Sequence, residues 1–271
     1  MRRALAYAAL IALAAFLVAP FAWMVLVSLH PTRAPIPDYG ELIPAHAQWQ
    51  NYWLVLTNSE VPVARFALNS VFVAVCVVSG QLVVCSLAAY GLARIRFPGA
   101  DAVFFLFVAS MMFAGVVTQI PVYLLMRDLH WLDTYAALVV PGLSSAFNVF
   151  LLRQFMVGIP RELDEASQID GAGHLRIYAQ VVMPLCKPAL ATAAAFTFFA
   201  VWTDFFWPLL ATNSMRMRTL EVGLSIFKNS YGATNWPLQM AAAVVTLMPM
   251  VVVFVLAQRW FVRGIQMSGI K

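Results

Sequence analysis

The chain has 271 residues, of which 62% are hydrophobic and only 11% charged, and its mean hydropathy is +0.81. A soluble domain gives roughly a quarter of its residues to Asp, Glu, Lys and Arg, so a hydrated globule is excluded, and the apolar content excludes a disordered chain. The net charge of +5 and pI of 9.3 come from bases standing singly or in pairs beside long apolar runs; this pattern excludes a phosphate-tracking nucleic-acid binder and leaves lipid as the main solvent.

A helix crosses a ~30 Å hydrocarbon core with about 20 residues. Residues 4–29 carry no charge and follow Arg2 and Arg3. A secretory leader is the competing reading, but the apolar stretch outruns a leader core and no small-x-small site ends it, so a retained first helix is expected. Residues 66–93, 102–126 and 134–152 are equally free of charge. Residues 188–211 are apolar except for Asp204, and 238–257 are apolar apart from Gln239 and Thr246. Six spans are predicted, which leaves no room for a separate soluble domain.

Six spans place both termini on one side. Arg2, Arg3, Arg94, Arg96, Arg153, Arg161, Arg176, Lys187, Arg259, Arg263 and Lys271 fall on that side, and Arg33, Arg65, Arg127, Arg216, Arg218 and Lys228 on the other. The bias puts both ends in the cytoplasm. Segments 30–65, 127–133 and 213–237 are then external, with Trp49, Trp53, Trp131 and Trp236 in or beside them as interfacial anchors.

Little in the chain suggests bond-making chemistry. HExxH, GxSxG and a P-loop are missing, so no resident metal or nucleotide is expected. His30, His46, His130 and His174 are scattered through loops. Cys76 and Cys85 lie roughly 13 Å apart along one helix, beyond the reach of a disulfide, and these two and Cys186 read as buried apolar thiols. Asp204 is the one ionisable residue well inside a predicted span, where such groups usually carry function.

The longest internal loop, 153–187, is the most informative stretch. After Pro160, residues 161–169 (Arg-Glu-Leu-Asp-Glu-Ala-Ser-Gln-Ile) read as a short amphipathic helix with acids in its first turns, where they complement the helix dipole. Asp170-Gly171-Ala172-Gly173 breaks it, and Gly171 supplies the positive φ or close approach that a sharp turn demands. Residues 174–182 read as a second short helix carrying Leu175, Tyr178, Val181 and Val182 on one face, before Pro184 and Pro188 lead into the fifth span. On pattern alone, an interfacial hairpin that merely links two spans and a docking protrusion both remain open.

The loop resembles the EAA motif of ATP-binding cassette (ABC) importer permeases: Glu165-Ala166-Ser167, then Gly171, then Val181-x-Met183-Pro184, with the spacing met throughout. Ser167, Val181 and Met183 depart from the pattern's Ala, Ile and Leu by small or apolar exchanges. Further pieces are similar to the maltose-type carbohydrate branch: Asn69-Ser70, residues 88–94, Phe97-Pro98-Gly99, residues 119–123, Leu152-Arg153, Ile159-Pro160, residues 188–192, residues 202–209, Thr219-Leu220, Gln258-Arg259 and 264–271. Thr203 stands where that branch usually has Asn.

The resemblance implies an all-α, six-span permease of the type I ABC importer fold in a bacterial or archaeal cell membrane. It divides the chain into a first helix with its external segment (1–64), a transmembrane core (65–265) containing the coupling segment 158–187, and a tail (266–271). It implies uptake of a carbohydrate by alternating access, with Glu165, Ala166, Ser167, Asp170, Gly171 and Pro184 coupling to a separate ATPase. The expected partners are a second permease, an ATPase dimer that binds ATP and Mg, and an extracytoplasmic binding protein; the chain itself needs no cofactor and is not an enzyme. Trp202 and Asp204 have two readings, contact with sugar in the pathway or structural bonding at the end of the fifth helix. Asn213, Asn229, Asn235 and Trp236 suit contact with the binding protein or an ordinary surface loop. A six-helix channel or scaffold uncoupled from any ATPase is the competing class, and a membrane enzyme fits less well for want of paired acid and base residues at one depth.

Overall fold

The computed structural model describes residues 2–32, 42–231 and 235–268, with side chains except those of 2, 4, 228–231 and 259–268. In chain order the helices are α1 (Arg2–Ser28), α2 (Gln50–Leu56), α3 (Val63–Arg94), α4 (Ala100–Ser110), α5 (Gly115–Asp128), α6 (Tyr135–Val139), α7 (Ala146–Val157), α8 (Glu162–Ile169), α9 (His174–Ile177), α10 (Met183–Leu185), α11 (Lys187–Trp202), α12 (Phe206–Ala211), α13 (Leu220–Tyr231) and α14 (Trp236–Ser268). A 3₁₀ turn, Val140–Leu143, joins α6 to α7, and a π-turn, Tyr178–Val182, joins α9 to α10. The described residues contain no strand.

Four stretches are long and apolar enough to cross a membrane unbroken: Leu5–Ser28, Val63–Arg94, Tyr135–Val157 and Trp236–Gln258. Six result only when two bent pairs are each counted as one span, α4 with α5 at 101° and His174–Leu185 with α11 at 79°. The third predicted span, 102–126, is therefore not straight. After Ser110 the ladder tightens to Met111→Val108, Met112→Ala109 and Phe113→Ser110 bonds, and the Ser110 hydroxyl donates to the Phe107 carbonyl at 2.7 Å. Such back-bonding competes with the helix, and extended Ala114 restarts it. The fifth span, predicted over 188–211, stops at Trp202 and resumes as α12. The fourth contains Pro141-Gly142 in its 3₁₀ turn, where the missing proline donor interrupts the ladder.

Two compact units result, residues 1–68 with 218–249, and residues 69–217 with 250–271. In the first, Asn51 Nδ2 donates to the carbonyls of Ser28 and His30, each at 2.8 Å, and the Tyr52 hydroxyl meets Ser28 Oγ at 2.6 Å, tying α2 to the end of α1. Phe66 is fully buried beside Gly223 of α13. Most of α1 presents exposed Leu, Ile, Val and Phe side chains, the surface of a helix solvated by lipid.

The second unit holds two apolar clusters. One joins Cys85, Ala89, Tyr90, Leu152, Met156, Ile159, Ile177, Val182, Cys186 and Ala193; the other joins Val73, Val77, Met126, Ala137, Leu138, Trp207 and Ala211. A polar knot of Gln81, Asn148 and Thr197 links α3, α7 and α11. Asn148 Nδ2 donates to Gln81 Oε1 and to Thr197 Oγ1, the latter at 2.8 Å, Thr197 Oγ1 donates to Gln81 Oε1, and Gln81 Nε2 donates to the Gly142 carbonyl at 2.7 Å. Each of the three side chains thus finds a partner at membrane depth, while Asn148 Oδ1 is buried without a hydrogen-bond partner. Of the three cysteines, Cys85 and Cys186 are buried as expected, whereas Cys76 is only half-buried because its face of α3 is partly open.

Candidate functional site

Segment 158–187 lies wholly in the second unit and folds into a knuckle. Glu162, Asp164 and Glu165 occupy the first turn of α8, where negative charge offsets the unpaired N–H dipoles. The helix ends in a Schellman motif: Ala172 N–H donates to the Ser167 carbonyl at 2.9 Å and Gly171 N–H to the Gln168 carbonyl at 2.9 Å. This pair of bonds requires a left-handed residue between them, and Gly171 has φ +79°. Gly173 then starts α9, its carbonyl accepting from the Arg176 and Ile177 amides.

The second helix differs from its predicted form. Instead of one α-helix over 174–182, the chain widens into a π-turn over Tyr178–Val182. Pro184 follows after Met183; it lacks an amide and would crowd the carbonyl four residues back in a regular helix, and the wider turn relieves both conflicts. The extra residue rotates Leu175 away from the face it was assigned. Ile177 and Val182 are buried and Tyr178 half-buried, while Leu175 is 76% exposed.

The knuckle therefore has a buried base and a displayed tip. Ile159, Ile177 and Val182 join the apolar cluster beneath it. On the tip, Glu165, Ala166, Asp170 and Gly171 are exposed, and Ser167 is half-buried with its hydroxyl donating to the Leu163 carbonyl at 2.7 Å; Pro184, also exposed, stands apart from them in α10, between the buried Val182 and Cys186. Ile169 is 87% exposed. The sequence reading passed over Ile169 as a surface residue, although a large apolar side chain between a polar turn and an acidic helix was legible. A cleft lined by Ser167, Asp170, Arg176 and Gln180 runs beside it.

Two arginines counted as topological charges hold this region in place. The Arg94 guanidinium donates to the Ile159 carbonyl at 2.9 Å and lies 3.4 Å from Asp164. Arg153 donates to the Leu92 carbonyl at 3.3 Å and sits 3.8 Å over the Phe104 ring.

The remaining candidates lie elsewhere. Trp202 is buried and stacks on Phe198 with centroids 5.4 Å apart. Asp204 accepts from the Trp207 amide at 3.2 Å and so opens α12, while Trp207 Nε1 donates to the Ala137 carbonyl at 2.9 Å. Thr203 bonds back to the Phe199 carbonyl at 2.8 Å. In segment 213–237, Asp133 Oδ1 accepts from the amides of Asn213 and Ser214 and from Ser214 Oγ, each at 3.0 Å. Asn235 is buried and Trp236, at the start of α14, half-buried. The Asn229 side chain lies outside the described residues. Among the described residues no group of three or more His, Cys, Asp and Glu could hold a metal ion.

Residues 7–267 match the family described as binding-protein-dependent transport system inner membrane component. The chain is 38% identical over 229 residues to the sn-glycerol-3-phosphate transport system permease protein UgpE of Yersinia pestis bv. Antiqua (strain Antiqua), covering 83% of this chain and 82% of that protein. It is 35% identical over 244 residues to the protein of the same name from Rhizobium meliloti (strain 1021), covering 88% and 85%. Among solved structures, a bacterial ABC transporter involved in the import of the acidic polysaccharide alginate has a chain that superposes with a TM-score of 0.83 at 26% identity, over 95% of this chain and 96% of that one. The match across nearly the whole length, on an all-helical fold with several spans, makes this chain a multi-pass inner-membrane permease of the binding-protein-dependent transport family, as the EAA spacing implied.

Proposed function

We propose that the chain is the permease subunit through which an ABC importer takes up a carbohydrate or a related polyol phosphate, and that α8 with its Gly171 turn is the helix that docks on the ATPase. The observation that carries this reading is the knuckle: a base locked into the membrane core, and a tip showing Glu165, Ile169 and Leu175 to a partner. Small Ala166 and Gly171 permit close approach, Glu165 offers a charge-assisted bond, and the exposed Ile169 and Leu175 supply the apolar area that makes docking favourable. ATP and Mg are bound by the ATPase dimer. Its closure moves α8 and shifts the spans between inward- and outward-facing states. Both termini, and this knuckle, lie on the cytoplasmic side.

A second permease completes the pathway, and a binding protein delivers the substrate. The permease relatives are named for sn-glycerol 3-phosphate and the solved transporter for an acidic polysaccharide, so sn-glycerol 3-phosphate is the first compound to supply. Asp204 accepts from the Trp207 amide at the start of α12 and Trp202 packs on Phe198 of α11, leaving most substrate contacts to other residues or to the second permease. Of the external candidates, Asn213, whose side chain is exposed, fits contact with the binding protein best.

Glu165→Lys tests the docking. The side chain is exposed and supports no other element, so the variant chain is expected to insert normally and to lose the co-purifying ATPase by tenfold or more, roughly the effect of setting like charges against each other at an interface. Retention of the ATPase at wild-type stoichiometry, with uptake intact, would refute the assignment of α8.

A further inference from the structure

The second unit contains a buried ion pair that docking itself does not use. Arg94 closes α3 and Asp164 lies in the first turn of α8; their side chains are only 3% and 13% exposed. With Nη2 on the Ile159 carbonyl and Nη1 near Asp164 Oδ2, one guanidinium grips both the chain entering α8 and α8 itself. The pair is poorly built as a source of stability. Among the described residues, Arg94 Nε and Asp164 Oδ1 are buried without a hydrogen-bond partner. A buried ion pair with unmatched polar atoms is commonly no better for folding than an apolar pair of similar size. It does supply a short, directional tether between a membrane helix and the helix whose outer face is displayed.

A second grip runs parallel to the first. The Tyr178 hydroxyl meets Ser86 Oγ at 2.8 Å, and its ring packs edge-on against Tyr90 with centroids 5.4 Å apart. Ser86, Tyr90 and Arg94 follow one another at intervals of four, so they share one face of α3, and both grips pull on the same side of the same helix. Gln81 of the polar knot lies further along the same helix, on another of its faces, and bonds α3 to α7 and α11.

We propose that Arg94 and Asp164 are positioning residues for transport, the tether through which displacement of α8 reaches α3 and hence the spans. The proposal rests on reading α8 as the coupling helix. Neither side chain lies on the displayed tip, so removing the pair leaves docking intact and breaks transmission.

The test uses the purified complex of this chain with its second permease and ATPase. MgATP hydrolysis is measured with and without the binding protein supplied with sn-glycerol 3-phosphate, beside ATPase retention. Arg94→Leu combined with Asp164→Leu removes both charges and avoids the stranded carboxylate that Arg94→Leu alone would leave. The double variant is expected to insert and to retain the ATPase, while stimulation by the binding protein falls roughly fivefold or more, the usual span of a coupling effect. Arg94→Lys keeps the buried charge but loses the two-pronged geometry, and is expected to give intermediate stimulation in a chain that folds. Wild-type stimulation in the leucine pair overturns the proposal by making the pair an ordinary packing contact. Loss of the ATPase from that variant also overturns it, by placing the pair in the docking surface. Glu165→Lys reads docking through ATPase retention alone, so a failure of the coupling-helix reading registers there and not in the stimulation ratio.

Discussion

Gly171→Val is expected to abolish uptake while the chain remains in the membrane at its normal level. The residue sits at φ +79° between the two bonds that close α8, and a Cβ built there would meet nothing within 4 Å. The difficulty is therefore conformational and not steric. A β-branched residue in the left-handed region costs on the order of 1–3 kcal/mol, enough to open an exposed turn whose two closing bonds contribute about 1 kcal/mol each. Opening it would swing Glu165 and Ile169 away from Leu175 and split the tip. The cost falls on a surface turn, so insertion and the apolar clusters are spared. Gly171→Asn separates turn geometry from side-chain size, because asparagine tolerates this backbone region; it is expected to keep a substantial part of the uptake that valine loses. Transport assays beside quantification of the membrane-inserted chain check both, and a valine variant that transports normally would show that the turn is dispensable.

Gly223→Ala is expected to lower the thermal stability of the protein, although alanine favours helices. A Cβ at this position of α13 would run into the ring of Phe66, which is wholly buried in the first unit. Alanine in place of helical glycine gains roughly 0.5–1 kcal/mol, whereas overpacking a rigid core site costs about 1–3 kcal/mol. The collision wins because an enclosed ring has no free end to move aside. Shrinking the partner should reverse the sign: Phe66→Leu is destabilising alone, but combined with Gly223→Ala it is expected to recover part of the loss. Melting curves of the four proteins in detergent give the coupling directly, and additive effects would mean that the two residues do not meet.

Which features were legible depends on how far apart in the chain their causes lie. The spans announced themselves because a run such as 66–93 contains no charge at all, a local fact. The knuckle was equally open to reading, since Pro160, the acids of 162–165, Gly171 and Pro184 are punctuation marks whose meaning is set by their own backbones. The bend at 111–114 was not, because Met-Met-Phe-Ala is apolar and carries neither proline nor glycine; it follows from a tightening ladder and the Ser110 hydroxyl. The ion pair of Arg94 was hidden for a different reason. A base at the end of a span satisfies the topology rule by itself, and nothing nearby reveals that the Ile159 carbonyl and Asp164 lie against it. The packing of Trp202 was also a local matter, because Phe198 stands four residues before it, the spacing at which helical side chains meet, and the two rings do stack.

The π-turn at Tyr178–Val182 gives the motif's fixed length a mechanical meaning. Each residue of a regular helix turns the chain by about 100°, so adding or removing one between Gly171 and Pro184 would rotate the tip by that amount against α11. Substitutions such as Val181 for Ile or Met183 for Leu leave this phase untouched. A one-residue deletion inside the wide turn would convert it to an ordinary one and change the bearing of Glu165 and Ile169, although both residues would still be present. Length, more than identity, is what this stretch of chain has to keep constant.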